Sequence, residues 1–80
     1  MPKNNLPTYA IVELLIRLEK HCPTIGDYKN HTLSNDGVVV KTTRGSIKFA
    51  EPLIKQQFES PELITDEDLA RAGTLFKAVS

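Results

Sequence analysis

Four side chains with metal-binding or nucleophilic chemistry fall close together in this sequence: His21, Cys22, Asp27 and His31. Imidazole nitrogen, thiolate sulfur and carboxylate oxygen are the ligands zinc selects. Their spacing fits no structural zinc pattern, and adjacent His21 and Cys22 cannot easily turn toward one ion, so no metal is expected. Cys22 is a second candidate, as a reactive thiol. Its place at the end of a predicted helix, where the dipole opposes negative charge, argues for an inert and partly buried side chain. Asp66, Glu67 and Asp68 could serve as paired carboxylates or a cation site. A helix N-terminus attracts acids of this kind with no further role. The chain holds no glycine-rich phosphate loop, no nucleophile elbow and no HExxH pair. These observations lead to an expectation of no catalytic residue, no cofactor and no enzyme activity.

Two surfaces are less fully explained by structure, although the first helix could be wrapped on both sides by its own chain and the hairpin lysines could simply keep a solvated edge from pairing. Tyr9, Val12 and Ile16 form a second apolar face on the first helix, rotated from its core stripe and rimmed by Glu13 and Arg17. Apolar surface beyond what one core requires marks a contact site. The expected partner is another protein, or a second copy in a homodimer. The other surface is basic: Lys41, Thr43, Arg44 and Lys48 sit on a predicted hairpin that contains no acid from residue 38 to residue 50. This hairpin resembles the wing of winged-helix proteins, in which lysine and arginine reach DNA phosphates or the minor groove. The resemblance implies a nucleic-acid-binding regulator as the alternative function. It covers about a dozen residues. The chain departs from the pattern in its recognition helix: Lys55, Gln56 and Gln57 lie on a segment of barely two turns, and the last helix opens with acids that phosphates repel. The acidic stretch from Glu59 to Asp68 offers a further surface for a basic partner.

These surfaces must be held by a small set of elements. Thr8 is placed to cap a helix running to about His21, with Ile11, Leu14, Leu15 and Leu18 as its core stripe and Cys22-Pro23 as its stop. Gly26 marks the connector that follows. Asn35-Asp36-Gly37 signals a turn before Val38-Val39-Val40, and Ile47 and Phe49 alternate with Ser46 and Lys48. Strands at 38–42 and 46–49 therefore make a hairpin, and 31–34 a short third strand. Pro52 opens a short helix that buries Leu53, Ile54 and Phe58 and breaks at Ser60-Pro61. Thr65 and Asp68 begin the last helix as a capping box, flanked by Ile64 and Leu69 as a staple. That helix is expected to bury Leu69, Ala72, Phe76 and Val79 and to place Lys77 in its last turn. Gly73 inside it costs about 1 kcal/mol relative to alanine, which points to a close crossing or a bend.

The predicted fold class is thus α+β: N-terminal helix, two- or three-stranded antiparallel β-meander, short helix, C-terminal helix. Residues 1–7 are expected to be a flexible arm and 8–80 a single compact domain. With 80 residues the core is small, because a chain this short buries roughly 60% of its unfolded surface. One cysteine allows no internal disulfide and suits a reducing, cytoplasmic setting. The richest apolar stretch, residues 9–18, contains Glu13 and Arg17 and is far shorter than the ~20 residues of a membrane span, so no membrane partner is expected. Formal net charge is +0 from 10 basic and 10 acidic side chains, whereas nucleic-acid-binding domains are usually basic. The leading expectation is a small intracellular binding or regulatory module, an adaptor or inhibitor.

Overall fold

The structure, a computed structural model, describes residues 7–78. Most of the expected N-terminal arm, and Val79, lie outside the described residues.

The first helix, α1, spans Thr8–Glu19 and buries Ala10, Ile11, Leu14, Leu15 and Leu18. Its start corrects the expectation at Thr8: the cap is Pro7, at φ −70° and ψ 137°, and Thr8 is the first helical residue. The ring of proline fixes the φ that this position adopts, so no side-chain cap is needed to set the chain's direction. The amide of Cys22 still bonds to Leu18 O at 2.9 Å before Pro23 ends the run. A single 3₁₀ turn at Pro23–Ile25 then buries Ile25 and leads into the sheet.

Four strands follow one another across the sheet in chain order: β1 (Tyr28–Ser34), β2 (Gly37–Thr42), β3 (Gly45–Ala50) and β4 (Lys77–Ala78). All pairs are antiparallel. The count exceeds the two or three expected. β1 starts earlier than residue 31 because an irregularity between Tyr28 and Asn30 absorbs the register shift and lets pairing continue. On one face Val38 opposes Phe49 and Val40 opposes Ile47, and all four are buried. Intervening Lys41 and Lys48 are exposed. This alternation is that of an antiparallel sheet with one face covered and one solvated.

Three helices supply the cover. The second, α2 (Glu51–Glu59), carries Pro52 in its first turn and buries Ile54. The third, α3 (Asp66–Gly73), opens on the expected capping box: Thr65 Oγ1 accepts from Asp68 N at 3.1 Å, and Asp68 Oδ2 accepts from Thr65 N at 3.1 Å. The end of α3 is a correction. It stops at Gly73, not near Val79, and Lys77 lies in β4. Glycine is a weak helix former, and Thr74 Oγ1 closes the last turn by donating to Arg71 O at 2.6 Å. The edge of β3 then offers Gly45 and Ser46 as partners to Ala78 and Lys77. Gly73 itself marks a close crossing: a methyl group there would lie 2.9 Å from Cys22 Sγ and 3.6 Å from Leu18 Cδ1. One core joins α1, the inner sheet face, Ile54, Ile64, Leu69 and Ala72.

Candidate interaction surfaces

On α1, five buried residues face the core and leave the second apolar face outside. Tyr9 is 57% exposed and Ile16 50%, while Val12 is half-buried and Glu13 exposed. The chain's own strands and helices therefore do not wrap this helix on both sides. Phe58 of α2 joins the same face. Its ring meets that of Tyr9 edge-on, with centroids 6.0 Å apart and planes at 65°. This is the favourable edge-to-face arrangement of two aromatic quadrupoles.

Phe58 was expected inside the short helix's buried face, and it is 47% exposed. Gln57 is buried in its place. The reason is Arg17. Its Nη1 donates to Gln57 Oε1 at 2.7 Å and to Pro61 O at 3.0 Å, and its Nη2 donates to Ile64 O at 3.2 Å. A buried amide needs such a partner, and this one turns α2 so that position 57 faces inward and position 58 outward. Apolar periodicity alone favoured Phe58 for the core. The signal that could have found the arrangement is a glutamine and an arginine each able to satisfy the other. Arg17 thus borders the apolar patch while being committed to contacts within the chain.

The basic residues occupy the solvated side of the sheet and its tip. Register places Asn30, Lys41, Ser46 and Lys77 in one row across all four strands, and Thr32, Val39 and Lys48 in the next. The structure thus adds Lys77 to Lys41, a neighbour the sequence reading missed by assigning Lys77 to a helix. Lys48 is held by Asp36, with Nζ 2.6 Å from Oδ1. The hydrogen bond from this ammonium, then its charge, keeps the Asp36 carboxyl below its ordinary value of 3.8. Thr43 and Arg44 form the hairpin tip and are exposed. Thr43 is tied back to the connector, its Oγ1 accepting from Asp27 N at 3.0 Å and its amide donating to Asp27 O at 2.9 Å. Beneath it the buried Thr42 hydroxyl donates to Ile25 O at 2.6 Å and accepts from Gly45 N at 3.0 Å.

Charge is divided between the layers. The sheet and its turns carry Lys29, Lys41, Arg44, Lys48 and Lys77 against Asp27 and Asp36. The helices and their connections carry Arg17, Lys20, Lys55 and Arg71 against eight acids, five of them between Glu59 and Asp68. A neutral total conceals this separation.

The metal candidates are spread over different contacts. His21 Nε2 lies 3.5 Å from Asp66 Oδ1, His31 Nδ1 shares a 2.6 Å hydrogen bond with the Tyr28 hydroxyl, and Cys22 packs at the Gly73 crossing. Among the described residues no three His, Cys, Asp or Glu side chains are placed to hold one ion. Asp68 is taken up by its cap: hydrogen bonding first from the Thr65 amide and then from the Thr65 hydroxyl holds its carboxyl below 3.8. No helix among the described residues is long and apolar enough to cross a membrane. No protein-family model matches the chain, and neither the curated proteins nor the solved structures contain a match to it.

Proposed function

We propose that this protein is a protein-binding module, an adaptor or inhibitor whose contact surface is centred on Tyr9, Ile16 and Phe58, with half-buried Val12 beside them and Glu13 at the rim. The observation that carries this reading is the exposure of three large apolar side chains on adjoining helices, two of them aromatic and in contact. Aromatic anchors surrounded by polar residues are the usual centre of a protein interface. Affinity capture with the wild-type chain and with Ile16→Asp and Tyr9→Ala variants tests it. Both side chains stand outside the core, so Ile16→Asp keeps the wild-type unfolding midpoint, Tyr9→Ala lowers stability only by the edge-on contact with Phe58, about 1 kcal/mol, and both lose the captured protein. Retention of the partner by both variants overturns the assignment. Sedimentation over a wide concentration range separates a second copy from a different protein.

A second reading rests on the row of Lys41 and Lys77, with the Asp36-paired Lys48 beside it, on a sheet whose described strands carry no acidic side chain. Such a face suits nucleic-acid phosphates, with Thr43 and Arg44 at its end. Binding of single- and double-stranded oligonucleotides at two salt concentrations decides it, since phosphate contacts weaken steeply with salt.

A further inference from the structure

Among the described residues β4 holds two, Lys77 and Ala78, and it leaves part of its neighbour without a strand beside it. Pairing between β3 and β4 is confined to Gly45 with Ala78 and Ser46 with Lys77. Before Lys77 the chain turns away into α3 through Thr74 and Leu75. Among the described residues, Lys48 to Ala50 therefore has β2 on one side and no strand on the other. A cavity of about 220 Å³ lies at this place. One wall is Lys48 and Ala50, whose side chains belong to the solvated sheet face. The opposite wall is Leu53, Ala72 and Leu75 from the helical layer. A groove bounded by both layers follows the strand edge between them. Leu75, 51% exposed, leaves its helical wall apolar and open.

We propose that this groove receives an extended segment of a partner protein, which adds to the free edge of β3 in line with β4. The geometry selects the segment's chemistry. Successive side chains of a strand point to opposite faces. Those directed at Leu53, Ala72 and Leu75 meet an apolar wall that fits one aliphatic side chain. Those on the other face meet Lys48, whose exposed ion pair with Asp36 an incoming carboxylate would share, with Lys77 further along the sheet, and Arg71, paired with Glu67, also lines the groove. Asp68 also lines the groove on its helical side, and its carboxylate is engaged with Thr65 N. The preferred ligand thus alternates aliphatic and acidic residues. Its backbone amides and carbonyls satisfy the open edge, and the groove supplies the selectivity, as in β-strand addition generally. This site shares no residue with the Tyr9–Phe58 patch and stands or falls independently of it.

The test uses the full chain labelled with ¹⁵N and three capped pentapeptides: alternating leucine and glutamate, the same with lysine for glutamate, and the first with its backbone amides methylated. The glutamate peptide is expected to shift the amides of Lys48, Phe49, Ala50 and Leu75 saturably, with binding about fivefold or more weaker for the lysine peptide and lost on methylation. Leu75→Glu, at an exposed position, keeps the spectrum of a folded protein and abolishes the shifts. The proposal is overturned if the glutamate peptide gives no saturable shift at millimolar concentration. It is equally overturned if the shifts fall on Tyr9 and Phe58, or if the methylated peptide binds as well.

Discussion

Arg17 shows how one side chain can settle the orientation of an element. Its guanidinium donates to the Gln57 amide and to two carbonyls of the segment joining α2 and α3. Replacing it with methionine leaves the buried Gln57 without its donor, and we expect a loss of about 2–3 kcal/mol in urea unfolding, typical of hydrogen bonds to a charged group. Arg17→Lys recovers only part of that, because a point-like ammonium cannot span three acceptors set out for a planar fork. Two carboxylates behave differently. Asp36, through the Lys48 hydrogen bond, and Asp68, through the Thr65 amide, both have carboxyl values lowered from 3.8. A lowered folded-state value contributes stability that is fully present above the unfolded-state value and is lost as pH falls through the lowered one. The urea midpoint is therefore expected to be insensitive to these groups above about pH 5 and to decline on acidification below about pH 4. Lys48→Met removes the part belonging to Asp36 and leaves the part belonging to Asp68.

Among the elements, those built by local pattern were legible in the sequence and those built by distant contacts were not. The stripe of Ile11, Leu14, Leu15 and Leu18 identifies α1, and the Thr65–Asp68 capping box identifies the start of α3. Alternation in Ile47 to Phe49 identifies β3 together with its inward face. β4 has no such signature. Lys77 and Ala78 become a strand because Gly45 and Ser46, far away in the chain, present an open edge. The exposed apolar patch was legible in its α1 half, Tyr9 and Ile16, and hidden in its α2 half. Phe58 follows Ile54 by four residues and Gln57 follows it by three, so spacing suits both for the core, and a partner on another helix decides between them. Gly73 carries a further element-scale prediction. Alanine favours the helix by about 1 kcal/mol, yet its methyl group would stand 2.9 Å from Cys22 Sγ. Gly73→Ala is expected to lower stability in the native background and to become neutral or stabilising in Cys22→Ala. A double-mutant cycle measured by denaturant unfolding reads this coupling directly.

At the scale of the molecule, a covered and an open sheet face give the protein two electrical sides, acids with the helices and bases with the strands. The aromatic patch lies on the helical side, and the proposed strand-addition groove lies on the boundary between the layers. An acidic extended segment is thus drawn to the sheet side of the groove and repelled on the helical side, where Asp68 stands. Raising salt is expected to weaken binding of the glutamate peptide severalfold, with little change in the apolar contact proposed at Tyr9 and Ile16. Fluorescence titrations of each site in low and near-physiological salt compare them.

The sheet's strand order also governs how the chain reaches this state. β1, β2 and β3 are consecutive hairpins, whereas joining β4 to β3 must close the whole interval from Ser46 to Lys77. Loop-closure entropy favours the early hairpins in the folding transition state and defers the late closure. Ile47→Val, costing about 1 kcal/mol at the hairpin core, is expected to act mainly by slowing folding. Gly45→Ala, whose new methyl group collides with the Lys77 carbonyl oxygen, is expected to act mainly by speeding unfolding. Stopped-flow chevrons distinguish the two. If they do, the last strand to dock is also the first to leave, and the edge proposed for a partner is briefly lengthened each time it does.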